Sequence, residues 1–235
     1  MAIYAVWGPP QSGKTTVAID LAFALSQSGQ SVLIISPEPY SELSARLSVQ
    51  IKKEQSLSAL SGGMASLKKS VMQVDSLLYV LAVPYDYDVF DGDMSSAAAK
   101  DMLEQAAVMF DAVIVDCPSS ACSVIAAWAI NTADALLLLT GASSAAVLWN
   151  GSFRRAMDTA KGRTIHICNQ TSKGFDYHAL CSVLKLEPDI RLPYFPEADV
   201  TQESRRCLYG ASGKTGKAYS EQIDELCKRL KGAEK

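Results

Sequence analysis

The sequence has little of what metal sites, redox motifs and disulfide frameworks require. Its six cysteines are scattered along 235 residues, and no two of them form a Cys-x2-Cys pair. This spacing is poor for a zinc site or a redox motif, and most of the cysteines lie within apolar runs. We therefore expect buried free thiols and no metal cluster built from cysteine.

An excess of basic charge and a long apolar run are also missing. The 22 lysines and arginines are outnumbered by 25 acidic residues, which gives a net charge of −3. Such a chain has no global positive field that would attract nucleic acid, although the net charge does not exclude a local basic patch. Neither an apolar run of about 18 residues nor a leader sequence is visible. These absences predict a cytoplasmic protein without stable membrane insertion and argue against a nucleic-acid partner.

What the sequence does contain is a glycine-rich loop that fits the pattern Gly-x4-Gly-Lys-Ser/Thr at every fixed position. An apolar strand precedes it and a helical pattern over 16–28 follows it, which is the context that a phosphate-binding loop requires. The glycines let backbone N–H groups point at phosphate oxygens, the lysine can reach the β- and γ-phosphates, and the threonine hydroxyl can ligate Mg²⁺. The residues predicted to bind a nucleoside phosphate are Gly8, Gln11, Ser12, Gly13, Lys14, Thr15 and Thr16.

The rest of the chain alternates strand and helix patterns, which predicts an α/β fold with a mostly parallel twisted sheet and helices on both faces. No repeat or low-complexity linker divides it, so we expect a single domain over 1–235. Residues 41–75 are expected to form short helices and loops, and the acidic 85–93 an exposed loop. The predicted strands after the first are 31–36, 77–83, 112–116, 135–140, 164–168 and 190–192, and the predicted helices are 95–110, 121–131, 144–160, 175–185, 199–208 and 217–231.

Polar residues follow several of these strands at one edge of the predicted sheet. In folds of this kind, ligands bind outside the carboxyl ends of the strands. Asp116 ends an apolar strand, and its carboxylate can hold Mg²⁺ through water beside Thr15. Glu38 and Asn169 follow two other strands at the same edge. The predicted metal residues are therefore Thr15 and Asp116, and the candidate catalytic residues are Lys14, Glu38 and Asp116.

Several segments together resemble the MinD/ParA-type P-loop ATPases of the SIMIBI class, also called deviant Walker A ATPases. Val115-Asp116-Cys117-Pro118-Ser119 resembles their second switch, and residues 133–140 resemble the strand that follows it. Cys168-Asn169-Gln170 resembles their strand ending in an adenine-contacting Asn, and residues 192–197 resemble the next turn, where Pro193 lies. Within the group the chain looks most like the TadZ/CpaE branch of pilus-assembly ATPases. The resemblance implies ATP and Mg²⁺ as cofactors, with Asn169 and Pro193 near the nucleotide.

Two positions depart from that family pattern. Pro9 stands where the family usually has a second lysine that reaches across a dimer to the partner's phosphates. In the first switch, Ser36-Pro37-Glu38-Pro39 replaces the usual Asp-x-Asp-Pro. Glu38 falls where the resemblance implies a water-positioning acid, and the alternative is an exposed loop acid without a catalytic role.

Three functions are compatible with these residues. The first is a slowly hydrolysing ATP switch that forms a homodimer favoured by ATP, across loops 37–44 and 117–123, and that positions or assembles an unidentified partner complex. The second is a nucleotide-binding scaffold that does not hydrolyse, as the two departures suggest. The third is a small-molecule kinase, which is disfavoured because 85–100 and 115–150 contain no arginine for a lid. Asn169-Gln170-Thr171-Ser172 lacks the carboxylate that reads guanine, which predicts a preference for adenine.

Overall fold

The computed structural model describes residues 1–39, 42–63, 65–84, 94–120, 123–158, 160–205 and 207–232. The predicted loop 85–93 lies outside these residues. Strands and helices alternate along the described chain, in the order β1 (Ala2–Trp7), α1 (Lys14–Gln27), β2 (Val32–Ser36), α2 (Leu43–Arg46), a 3₁₀ turn (Lys53–Gln55), α3 (Leu57–Ser61), α4 (Leu67–Ser70), β3 (Met72–Asp75), β4 (Leu78–Ala82), α5 (Ser96–Met109), β5 (Ala112–Asp116), α6 (Val124–Thr132), β6 (Ala135–Leu139), α7 (Ser144–Asp158), β7 (Arg163–Asn169), α8 (Tyr177–Leu184), β8 (Ile190–Leu192), α9 (Ala198–Arg205) and α10 (Gly213–Lys231).

The described strands form one eight-stranded sheet in the order β3-β4-β2-β5-β1-β6-β7-β8. All neighbouring pairs are parallel except β3 and β4, which confirms the predicted mostly parallel α/β fold. β1 lies between β5 and β6, with Val6 opposite Asp116 and Trp7 opposite Leu138. The glycine-rich loop therefore leaves the middle of the sheet, next to the end of β5.

The central strands are buried along their whole length because helices cover both faces of the sheet. Every residue of β1, β2, β5 and β6 is buried, which explains their continuous apolar sequences. One face of the sheet packs against α1 and α10, and the other against α5, α6 and α7. The apolar stripe of α10 lies in the first of these cores and consists of Tyr219, Ile223, Leu226 and Leu230.

Two segments differ from the sequence-based expectation. Met72–Asp75 forms β3, an antiparallel edge strand, within the stretch that was expected to hold only short helices and loops. Its side chains alternate between half-buried and exposed. The strand therefore lacks the continuous apolar run from which the inner strands can be predicted in the sequence. Helix α10 begins at Gly213, four residues before its predicted start, where the glycines at 213 and 216 weaken the helical pattern.

A buried carboxylate joins α1 to the C-terminal part of the fold. Asp20 of α1 is fully buried and accepts hydrogen bonds from the backbone N–H groups of Leu208 (2.7 Å) and Tyr209 (3.0 Å). It also accepts one from the hydroxyl of Tyr219 in α10, at 2.7 Å. Burial raises the pKa of Asp20 to about 6, although these bonds and the charge of Arg46 oppose the rise. One side chain therefore holds three segments together at a cost in desolvation.

The raised pKa of Asp20 predicts a pH-dependent contribution to stability. An acid whose pKa is higher in the folded state stabilises the fold below its unfolded pKa, and this contribution is lost as the pH rises through about 6. We expect the unfolding free energy of the wild type, relative to Asp20→Asn, to fall by about 3 kcal/mol between pH 3 and pH 7, at about 1.4 kcal/mol per pKa unit. Urea unfolding of both proteins across this range measures the difference. A difference that does not change with pH would contradict the prediction.

Candidate functional site

The glycine-rich loop connects β1 to α1 and needs both of its glycines for close packing. A Cβ atom at Gly8 would lie 2.9 Å from the carbonyl oxygen of Leu139 in β6. Gly13 has a φ of +83°, in the left-handed region that favours glycine, and a Cβ atom there would collide with the side-chain amide of Asn169. Gln11 also adopts a positive φ, of 59°. The loop is thus tightly curved and pressed against its neighbours, as a phosphate-binding loop requires.

Asn169 holds this loop from the far side of the site. Its side-chain Nδ2 donates a hydrogen bond to the carbonyl oxygen of Ser12, at 2.9 Å, and the residue is buried at the end of β7. The sequence marks Asn169 as a nucleotide contact, and the structure adds that it positions the loop. The two residues are 157 positions apart, so only the fold reveals this bond.

Lys14 is bound to the loop that follows β5. Its Nζ donates to the hydroxyl of Ser119, at 2.6 Å, and to the carbonyl oxygen of Pro9, at 3.3 Å. Burial lowers the pKa of Lys14, while the nearby carboxylates of Asp116 and Glu38 oppose this shift. The amine thus lies close to two carboxylates, and an anion could replace the neutral Ser119 and Pro9 oxygens as its hydrogen-bond acceptor.

The predicted metal residues are in direct contact. The Thr15 hydroxyl donates to Oδ2 of Asp116, at 2.7 Å, whereas the buried Oδ1 of Asp116 has no hydrogen-bond partner among the described residues. Burial raises the pKa of Asp116 to about 6, and the Thr15 bond and the charge of Lys14 oppose the rise. A hydroxyl beside a carboxylate with one unpaired oxygen is an oxygen donor set of the kind that Mg²⁺ prefers.

The protein alone does not complete a metal site in the described part of the chain. No group of three or more His, Cys, Asp or Glu side chains there is arranged to hold a metal ion. Mg²⁺ usually binds one or two protein groups together with phosphate oxygens and water. The Thr15 and Asp116 pair fits this mode, in which the metal arrives with a nucleotide.

Two tryptophans hold the loop after β5, and no motif in the sequence marks them. The indole N–H of Trp7 donates to the carbonyl oxygen of Pro118, at 3.0 Å, and that of Trp149 donates to the carbonyl oxygen of Ser119, at 2.8 Å. The two rings meet edge to face, with centroids 4.8 Å apart, and Phe153 packs against both. The segment that contacts Lys14 is therefore fixed to β1 and α7.

The predicted site residues surround one cavity of about 720 Å³, which we call the nucleotide cavity. Glu38 lies in its wall together with Lys14, which places the loop acid where a catalytic role is geometrically feasible. Three predicted residues, Gly8, Ser12 and Asp116, are not in the wall, and Asp116 is connected to it through the hydrogen bond from Thr15. Arg46, which the sequence does not mark, also lines the cavity. The other predicted residues in the wall are Gln11, Gly13, Thr15, Thr16, Asn169 and Pro193.

A Gly-x4-Gly-Lys-Thr loop between a central parallel strand and a helix, beside a strand that ends in Asp116, defines a P-loop nucleotide-binding fold. The family model for the AAA domain matches residues 10–157, more than half of the chain, and the chain belongs to this family. Among curated protein sequences, none matches the chain. In the described residues, no helix combines the length and apolar character needed to cross a membrane.

The structure is similar to solved structures of MinD and ParA ATPases. The septum site-determining protein MinD from Pyrococcus horikoshii OT3, complexed with Mg-ADP, superposes with a TM-score of 0.79 at 19% identity, over 98% of this chain and 96% of that one. A ParA family ATPase from Chlorobium tepidum TLS gives 0.77 at 19%, over 96% and 98%. MinD in a MinC:MinD complex from Aquifex aeolicus gives 0.73 at 17%, over 99% and 96%. The chain therefore has the MinD/ParA P-loop NTPase fold.

The packing of Gly13 predicts that this position tolerates no side chain. Gly13→Ala should destabilise the protein by at least about 1 kcal/mol, because alanine is strained at a positive φ and its Cβ would displace Asn169. Gly151→Ala in α7 is the matched control, since a Cβ atom there meets nothing within 4 Å, and it should stabilise by roughly 0.5–1 kcal/mol. Urea unfolding of both variants tests the pair. Equal effects would contradict the packing described for Gly13.

Proposed function

We propose that this protein is an ATP-binding, slowly hydrolysing molecular switch of the MinD/ParA type. The observation that carries the proposal is the convergence of Lys14, Thr15 and Glu38 on one cavity, with Asp116 buried behind Thr15 and bonded to it. Lys14 would neutralise charge on the terminal phosphates, and Thr15 and Asp116 would hold Mg²⁺. Mg²⁺, when bound, would supply further neutralisation of the phosphate charge.

The chain's own residues suggest how nucleotide binding would change the loop after β5. Lys14 donates one hydrogen bond to the Ser119 hydroxyl, and a charged phosphate oxygen is a stronger acceptor than that hydroxyl. Binding a γ-phosphate would therefore draw Lys14 away from Ser119 and free that hydroxyl. The loop that responds is the one held by Trp7 and Trp149. This exchange of partners is the switching event that we propose.

Glu38 is the proposed water-positioning residue for hydrolysis. It lies in the cavity wall, and its charge is close enough to oppose the lowered pKa of Lys14. Glutamate is longer by one methylene than the aspartate that the family resemblance leads one to expect, so the water would be held less well and turnover would be slow. A scaffold that binds ATP without hydrolysing it is the alternative function, and turnover distinguishes the two.

The relatives support the choice of ligand and the idea of a protein partner. One solved MinD contains Mg-ADP, and another is in complex with MinC. By analogy we propose ATP and Mg²⁺ as cofactors and an unidentified protein as partner. Assembly of a pilus or secretion complex, as in the TadZ/CpaE branch, is the narrower proposal, and it rests on the sequence resemblance alone.

Substitutions at Lys14 and Glu38 separate binding from turnover. Lys14→Ala should abolish Mg·ATP binding, whereas Glu38→Ala should retain it and lower turnover. We expect the wild type itself to turn over below about 1 per minute, in line with the slow unaided rates of P-loop switches. Calorimetry and phosphate release measure the two properties. ATP should outcompete GTP, because Asn169–Ser172 offers no carboxylate to guanine.

The exposed Glu54 of the 3₁₀ turn gives a matched control, since it lies outside the nucleotide cavity and Glu54→Ala should change neither property. Unchanged turnover in Glu38→Ala would restrict Glu38 to a structural role. Absence of turnover in the wild type, with ATP still bound, would favour the scaffold. A preference for GTP would overturn the adenine assignment.

ATP should also change the oligomeric state. Glu38 and Ser119 belong to two loops that both line the nucleotide cavity, so a bound γ-phosphate would change the surface that these loops present. We expect light scattering to show a dimer with ATP and Mg²⁺ and a monomer with ADP or without nucleotide. Lys14→Ala should stay monomeric under all three conditions. One constant mass for the wild type would remove the proposed dimer switch.

A further inference from the structure

Arg46 is a second cation in the wall of the nucleotide cavity. It is the last residue of α2, beyond the loop that carries Glu38. Among the described residues that line the cavity, Lys14 and Arg46 are the basic ones, and they are outnumbered by acidic residues, namely Glu38, Glu42 and Asp199. Without Arg46, a polyphosphate would face a single lysine within a wall of acidic character.

The guanidinium of Arg46 is held in a fixed position by two neighbours. Its Nη1 donates to the hydroxyl of Thr16, the residue that follows the glycine-rich loop. Its Nε and Nη2 both contact Oε2 of Glu42, at 2.9 and 2.7 Å. These contacts engage three of the five N–H donors that a guanidinium offers. Arg46 can therefore keep its place beside α1 and still donate to a ligand.

The charge of Arg46 acts on the buried groups around the cavity. It opposes the rise in the pKa of Asp116 at the metal end, and it does the same for Asp20 and Tyr219, which join α1 to α10. The Arg46 side chain is only 22% exposed, whereas that of Glu42 is 67% exposed. An ion pair with such an exposed carboxylate contributes little, so a phosphate can compete for the same guanidinium.

The position of Arg46 along the loop indicates which phosphate it would contact. Lys14 points toward Ser119, the end at which the proposed site holds the β- and γ-phosphates. Thr16 lies two residues further along α1, and Arg46 is bonded to it. In the proposed site, the phosphate closest to the nucleoside would be the one farthest from the reach of Lys14, and Thr16 and Arg46 both line the cavity that would hold it.

We propose that Arg46 binds the α-phosphate of the nucleotide, from within the same chain. This inference rests on the proposed function, because it specifies how the proposed ATP site holds its ligand. A planar, permanently charged guanidinium can make two parallel hydrogen bonds to one phosphate, which a lysine cannot reproduce. Contact at the α-phosphate is common to ATP, ADP and AMP, so Arg46 would contribute to affinity in every nucleotide state.

The test compares Arg46→Gln with the wild type, in competition against a fluorescent ADP analogue, for ATP, ADP, AMP and adenosine. We expect Arg46→Gln to weaken the affinity for ATP, ADP and AMP by a similar factor, about ten- to a hundredfold. The affinity for adenosine should not change. Arg46→Lys should recover only part of the loss. Arg154→Gln, at an exposed arginine of α7 outside the cavity, is the matched control and should bind like the wild type.

Each other outcome overturns the inference in a recognisable way. A loss of affinity confined to ATP would place Arg46 at the γ-phosphate. A loss of affinity that extends to adenosine would show that Arg46 has a structural role. Unchanged affinity for all four ligands, while the wild type binds ATP, would overturn the inference and leave the proposed function standing. A wild type that binds no nucleotide would overturn both. Thermal unfolding of the ligand-free variants verifies that Arg46→Gln is folded.

Discussion

The parallel pairing of β1 with β5 is the constraint on which the rest of the site depends. It sets Val6 opposite Asp116, so the glycine-rich loop and the acidic end of β5 emerge side by side. The hydrogen bond from Thr15 to Asp116 follows directly from this register. Both strands are fully buried between two helical layers, and a shift of one residue would exchange the side chains that each helical layer packs against. Packing of the core therefore fixes the chemistry at its edge.

The parts of the site that lie within one continuous segment could be predicted from the sequence. Gly13, Lys14 and Thr15 occupy fixed positions in a short pattern, and Asp116 ends an apolar run that is typical of a buried strand. Their chemistry follows from residue type and spacing. The alternation of strands and helices also predicts the parallel sheet, since a parallel connection needs a crossover helix.

The parts that depend on long-range contacts could not be predicted. Asn169 bonds to the carbonyl of a residue 157 positions away, and Trp149 reaches a carbonyl 30 positions away. Arg46 lies in a helix of four residues, too short to show a periodic pattern. β3 alternates like an exposed segment because it lies at the edge of the sheet. In each case the information is in how distant segments pack, which a local pattern does not contain.

The hydrogen bonds donated by two indole N–H groups make the loop after β5 observable by fluorescence. The chain has three tryptophans, and Trp7 and Trp149 both hold the backbone that contacts Lys14. The third, Trp128, instead donates to Ser96 at the start of α5. Two of the three tryptophans that emit ultraviolet fluorescence in the unlabelled protein thus contact the loop beside the phosphate end. The protein carries an intrinsic optical reporter of that loop, whose signal can be followed in real time without attaching a dye.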